Sequence, residues 1–391
     1  MCHIIDHIIL PCIQRIIALT CTLATDAMLR AFFHIPPSLF LSLDKVDLVL
    51  VNQFAHHGSS IQPSEHTQFS VFRNLPFLHD VTFHLLNWIH PSQLGLPWDQ
   101  LASIDLGTMP MPPDIFLTIV QMAANSLTNG RFQVKFTNQS IPSLAVSFFV
   151  FRPFQPIIAH VLEKLHLIVI NPTHDTRMFS AFHAPALTSL RIELEDVTNG
   201  WNPEILVPML RMMPSLQSVA FAPFLCPLRQ RSPSTALHPH NIISNNNMGR
   251  FFDAIPTVRY LDLELGLQIG SLTWERLAQG EFLPSLESFR CGSIIGLHVL
   301  SAVQRRNQLA EGKPSPGSSQ TVARAVVSVL KAITSLHLVV PHADVFDVTA
   351  SANVLREQPS TANMVFVVEG ANLRLFYNIE CLNYLRSKEN R

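Results

Sequence analysis

A short apolar pattern recurs from near the start of the chain almost to its end, and it restricts the folds open to this sequence. The pattern is apolar-x-x-apolar-x-apolar. Five copies carry a proline two residues before the first apolar position. Pro76 precedes Leu78, Val81 and Phe83; Pro185 precedes Leu187, Leu190 and Ile192; Pro214 precedes Leu216, Val219 and Phe221; Pro256 precedes Val258, Leu261 and Leu263; and Pro284 precedes Leu286, Phe289 and Cys291. Four more lack that proline: Leu43, Val46 and Leu48; Leu101, Ile104 and Leu106; Leu162, Leu165 and Leu167; and Ile333, Leu336 and Leu338. Degenerate copies are expected at Pro11, Ile13 and Ile16, and around Leu127, Phe132 and Val134.

The last two apolar positions of each copy are two residues apart, so they share one face of a short strand. Proline ends a preceding helix and drives its neighbour into an extended conformation, which starts the strand. One such strand cannot bury its apolar face alone, whereas stacked copies form a parallel sheet over a continuous core. Stretches with apolar residues near 3.6-residue spacing lie between the strands. They run from Pro113 to Ala124, from Asn202 to Met213 and from Asn247 to Ala254, and Pro208 is expected to kink or shorten the second. The fold class is therefore α/β: an irregular leucine-rich-repeat-like solenoid, with parallel strands on one face and helices on the other. Successive first positions lie from 23 residues apart (Leu78 to Leu101) to 47 apart (Leu286 to Ile333). The asparagine that ladders along the turn in regular repeats is missing from most copies, with Met109 and Gly266 standing at that offset in two of them.

At 48% hydrophobic and 14% charged residues, the chain can fill a long core. Residues 1–343 are expected to form the solenoid and 344–391 a C-terminal cap and tail, in which Met364 to Val368 and Leu373 to Tyr377 are strand candidates. Polar segments near 53–67, 229–247 and 305–320 read as exposed loop insertions. A net charge of −1 gives no basic excess for nucleic acid. No uninterrupted apolar run is long enough for a transmembrane helix, so no membrane partner is expected. The six cysteines form no C-x-x-C pair and no disulfide spacing, which suits reduced thiols in an intracellular protein, cytoplasmic or nuclear. No Walker loop, G-x-S-x-G, G-x-G-x-x-G or H-E-x-x-H is present. Cys2, His3 and His7, and the pair His238 and His240, make poor metal sets. Neither an enzyme, a cofactor nor a metal is expected.

Binding is the reading that remains. Residues between the apolar positions point away from the core onto the open face of the sheet. They include Asp80, Thr82, Ser103 and Asp105, and then the candidates for contact with a protein partner: Lys164, His166, Arg191, Glu193, Tyr260, Asp262, Glu264, Arg290 and His337. Mixed charge signs around a tyrosine suit a protein surface better than a polyanion.

Four stretches carry a family resemblance: LPWDQLASIDL at Leu96 to Leu106, APALTSLRI at Ala184 to Ile192, MPSLQSV at Met213 to Val219 and LPSLESF at Leu283 to Phe289. Over roughly residues 10 to 340 the chain resembles the leucine-rich-repeat regions of the large F-box families of mushroom-forming fungi. In that family an N-terminal F-box docks a Skp-type adaptor of a cullin–RING ubiquitin ligase, and the repeats present the substrate. The resemblance thus implies substrate recognition. The repeats begin within the first twenty residues here, with no F-box motif before them. A truncated chain and a repeat-only relative are both open, and the adaptor is an expected partner only if an F-box is missing. A free-standing repeat scaffold with no ubiquitin link is the alternative.

Overall fold

A computed structural model describes residues 13–33, 35–50, 71–85, 94–136, 156–170, 177–195, 203–223, 245–263, 269–293, 295–312 and 330–371. The chain divides into two compact units, 1–187 and 188–391.

The first unit holds strands β1 (Ala18–Leu23), β2 (Lys45–Leu50), β3 (Asp80–His84), β4 (Ser103–Met111), β5 (Asn129–Lys135), β6 (Ile157–Ile158), β7 (Lys164–Ile170) and β8 (Phe182–His183). Its helices are α1 (Asp26–Phe33), α2 (Pro113–Met122) and α3 (Arg177–Ala181). The sheet is open and wholly parallel, in the order β1-β2-β3-β4-β5-β7, while β6 and β8 form a separate short parallel pair. The second unit holds β9 (Ser189–Leu194), β10 (Ser218–Pro223), β11 (Tyr260–Leu263), β12 (Ser288–Gly292), β13 (Ser335–Pro341) and β14 (Val365–Ala371), again parallel and in sequence order. Its helices are α4 (Pro203–Arg211), α5 (Asn245–Asp253), α6 (Ser271–Ala278), α7 (Gly296–Ala310) and α8 (Val345–Arg356). Each unit is thus an α/β stack of strand-and-helix repeats, as the apolar pattern predicts.

All nine clear copies place their last two apolar residues on one of these strands, and both residues are buried in every case. Helix aromatics cover that face. Phe116 of α2 meets Phe132 of β5 at 5.2 Å, Phe251 of α5 meets Phe221 of β10 at 5.4 Å, and Trp274 of α6 meets Phe289 of β12 at 5.3 Å between ring centroids. These are tilted and edge-to-face contacts, the arrangements that aromatic quadrupoles favour.

Register is set just before nine of the strands, by a carbonyl that accepts two successive N–H groups from the next repeat; before β13, Thr334 O accepts from Val365 alone. In the first unit Ile17 O accepts from Asp44 and Lys45, Asp44 O from His79 and Asp80, His79 O from Ala102 and Ser103, Ala102 O from Thr128 and Asn129, and Thr128 O from Glu163 and Lys164. In the second unit Thr188, Gln217, Arg259 and Glu287 do the same for the strands that follow them. Each carbonyl has two lone pairs and both are used. The step is the same whether or not a proline precedes the strand.

The register corrects the two degenerate copies. Ala18 pairs with Lys45, so Leu19 and Cys21 stand beside Val46 and Leu48, and the first anchor is Ile16 rather than Ile13. Asn129 pairs with Lys164, so Gly130 stands beside Leu165 and Phe132 beside Leu167. The middle anchor of that repeat is therefore a glycine. A Cβ on Gly130 would lie 2.6 Å from the Phe132 ring, whose edge fills the volume that an aliphatic side chain occupies elsewhere. The alternation places Leu127 and Phe132 in this repeat but misses its middle anchor, which has no side chain.

Three further expectations are corrected. Pro208 does not shorten its helix at that point, because α4 runs through it from Pro203 to Arg211. Pro208 is exposed and its neighbours Val207 and Met209 are buried, so packing on either side holds the turn that lacks one helical bond. In the same stretch Met212 is exposed, and Met213 fills the core. The end of the second polar segment and the start of the third are also corrected. Residues 245–247 open α5, and α7 continues to Ala310 with Arg306 and Asn307 buried. The remaining residues of the three segments, apart from those at 311–312, lie outside the described residues, as do Leu373 to Tyr377. The strand expected at Met364 to Val368 is β14.

Gly130→Ala is predicted to destabilise the chain by about 1–3 kcal/mol through overpacking against Phe132. In a Phe132→Leu background the same change costs less. Denaturant unfolding of the four proteins of the cycle measures both numbers, and an equal cost in both backgrounds rules out ring-filling.

Candidate functional site

Alternation along each strand leaves one face free of the core, and the fixed register turns its residues into straight rows. In the first unit one row runs Thr20, Asp47, Thr82, Asp105, Arg131 and His166, and the row before it runs Ala18, Lys45, Asp80, Ser103, Asn129 and Lys164. In the second unit the corresponding rows are Arg191, Ala220, Asp262, Arg290, His337 and Val367, and Ser189, Ser218, Tyr260, Ser288, Ser335 and Val365.

The candidate contact residues are thus divided between the units. Lys164 and His166 lie on β7 of the first. Arg191, Glu193, Tyr260, Asp262, Arg290 and His337 lie on the second, where Asp262, Arg290 and His337 are direct neighbours and Ala220 separates Arg191 from Asp262. Glu264 lies outside the described residues.

Charges on both faces are matched sideways. Lys45 Nζ donates to Asp80 Oδ2 at 2.7 Å, and Arg131 Nη1 to Asp105 Oδ2 at 3.3 Å. Asp105 Oδ1 also accepts the Gly107 N–H at 2.9 Å, which ties the carboxylate to a bulge where β4 slips against β5 between Leu106 and Pro110. A Cβ on Gly107 would lie 2.7 Å from Arg131 Nε, so a larger residue there would displace the Arg131 side chain. In the second unit Arg290 Nη1 meets Asp262 Oδ2 at 3.4 Å, Arg259 reaches Glu287 with two nitrogens at 2.8 and 3.2 Å, and Arg191 Nε donates to Glu193 at 2.9 Å. His337 Nε2 lies 2.9 Å from Glu369 Oε2 on β14. Asp80 holds the Lys45 ammonium above its ordinary range, by a hydrogen bond first and by its charge second. The Arg259 guanidinium is raised in the same way by Glu287.

Arg131, Lys45, Arg259, Glu287 and Glu369 were not among the sequence candidates. Arg131 sits beside Gly130 in the degenerate repeat, whose middle anchor the alternation misses. Arg259 and Glu287 stand one residue before their strands and are neighbours only through the carbonyl step described above.

Tyr260 differs from the charged residues around it. It is 46% exposed. Its two neighbours in the row, Ser218 and Ser288, are small, so its ring rises between low residues. The Arg259 guanidinium lies 5.7 Å from the ring centroid, within cation–π range. Directly below the face, Cys291 is wholly buried, and burial first and Asp262 second push its thiol well above its ordinary range. The thiol there is a core group without nucleophilic use.

Among the described residues no group of three or more histidine, cysteine or acidic side chains is placed to hold a metal ion. No described helix is long and apolar enough to cross a membrane. No protein-family model matches this chain, and no curated protein matches it.

Two measurements follow. A double-mutant cycle on Asp262 and Arg290 is expected to give a coupling of about 0.2–1 kcal/mol that shrinks at high salt, because both groups are partly solvated. Iodoacetamide is expected to leave Cys291 unmodified in the native chain and to alkylate it once denaturant is added, as read by peptide mass spectrometry.

Proposed function

We propose that this chain is a protein–protein interaction module and that the open sheet face of its second unit, β9 to β14, takes the partner. The observation that carries this reading is Tyr260, a half-exposed aromatic rising between two serines on a face whose charged groups are paired. Aromatic anchors of this kind dominate binding energies, and surrounding charges that are already matched give orientation and specificity more than affinity. The strand backbone behind the face is hydrogen-bonded, so the surface is formed before a partner arrives and little ordering cost falls on this side of a complex.

The finer reading is substrate recognition within a cullin–RING ubiquitin ligase. It rests on the resemblance of the four quoted stretches to F-box-linked repeats. The free-standing scaffold shares the binding face and lacks the adaptor.

Affinity purification of the full chain, followed by hydrogen-exchange footprinting of the recovered complex, tests the proposal. Tyr260→Ala is expected to weaken the partner by about 2 kcal/mol or more, roughly thirty-fold, the range for a central aromatic. Unchanged affinity together with a footprint outside β9 to β14 overturns the assignment of that face, and recovery of no protein partner overturns the module reading. Failure of a Skp-type adaptor to co-purify, with the complete gene product confirmed, removes the ligase reading and leaves the scaffold.

A further inference from the structure

A side-chain pair on α7 reaches three repeats at once. Arg306 is wholly buried, and its guanidinium spends its donors on five backbone carbonyls. Nη1 donates to Leu277 O in α6 at 3.1 Å and to Phe282 O at 3.3 Å; Nη2 donates to Leu283 O at 2.7 Å and to Pro284 O at 3.1 Å; and Nε donates to Lys331 O at 3.1 Å. Asn307 completes the set. Its Nδ2 donates to Ile333 O at 2.9 Å, its Oδ1 accepts the Ile333 N–H at 2.8 Å, and Nδ2 also lies 3.8 Å from Met364 Sδ. These backbone groups lead into β12 and β13, and Met364 immediately precedes β14.

The position of the pair is informative. Ile333 opens a repeat that lacks the leading proline, and Lys331 stands where that proline would be. The Lys331 carbonyl is bonded by Arg306, and Ile333 is held at both its backbone N–H and its carbonyl by Asn307. Side chains from the neighbouring helix thus fix a strand start that the local sequence leaves loose.

Stacked repeats touch only their neighbours, and they ordinarily fray from an end one unit at a time. A buried guanidinium changes this. If β13 and its lead-in leave, Arg306 loses an acceptor while still surrounded by protein, and an under-solvated buried cation is costly. We infer that Arg306 and Asn307 form a clamp that makes the stretch from α6 to β14 open and close as a single cooperative block.

Native-state hydrogen exchange of the full chain, followed by mass spectrometry at rising denaturant, tests this. In the wild type, peptides from β12, β13 and β14 are expected to converge on one opening event. Arg306→Met is expected to split that event, with β13 and β14 exchanging at least tenfold faster than β12. Asn307→Ala removes only the bonds to Ile333 and the contact with Met364, and it is expected to split the event in the same order with a smaller gap. Separate opening of β14 and β12 in the wild type overturns the inference, and that measurement stands even if the Arg306 variant does not fold. Variants that speed all three strands equally overturn it too, since they show a stabilising side chain without a coupling role.

Discussion

One backbone interaction underlies the rest of the structure: a carbonyl just before nine of the strands that accepts two N–H groups from the repeat after it. Its geometry depends on no side chain, so it repeats where the sequence does not. It fixes register, and register decides which side chains become neighbours. Anchors stack over anchors on the covered face, and outward residues align into rows on the other. Lys45 meets Asp80, and Arg259 meets Glu287, for no reason visible in either residue's own surroundings along the chain.

The strands were legible because three buried positions in six residues leave a strong imprint. Nine copies could be read directly, and the last two apolar residues of each lie on a strand. What could not be read depended on volume rather than polarity. The pattern gives the repeat at Leu127 and Phe132 but misses its middle anchor, Gly130, because Phe132 fills the missing side chain's place and a pattern of residue types cannot show one residue standing in for two. The start of β1 slipped by three residues because Ile13 and Ile16 are equally apolar and only pairing with β2 separates them. Arg306 misled for the opposite reason. A charged residue in a polar stretch reads as surface, and only the convergence of five carbonyls from α6, the lead-in to β12 and the lead-in to β13 makes a buried one tolerable. Its guanidinium is pushed down by burial to about 10, and it keeps its charge at neutral pH.

The candidate face was half legible. Period-two alternation gave the outward residues correctly for every described strand copy. It did not give the pairing, because pairing runs across the sheet and the spacing between partners varies with each loop. Charges that looked available for a partner, such as Asp262 and Arg290, are engaged with each other. The pairing shifts the weight of recognition toward Tyr260, whose prominence comes from the smallness of Ser218 and Ser288 and so is a property of three strands together.

The uneven repeat length has a thermodynamic meaning as well. Because register is held at the strand starts, the segment between two strands need only close on itself. The entropy of closing a flexible segment grows with the logarithm of its length, so doubling it costs only about 0.6 kcal/mol. The 23 residues from Leu78 to Leu101 and the 47 from Leu286 to Ile333 differ by about that factor. Such a stack can lengthen a flexible part of its turns for less than the free energy of one buried methylene. Its outer contour is therefore free to diversify while the sheet stays as it is.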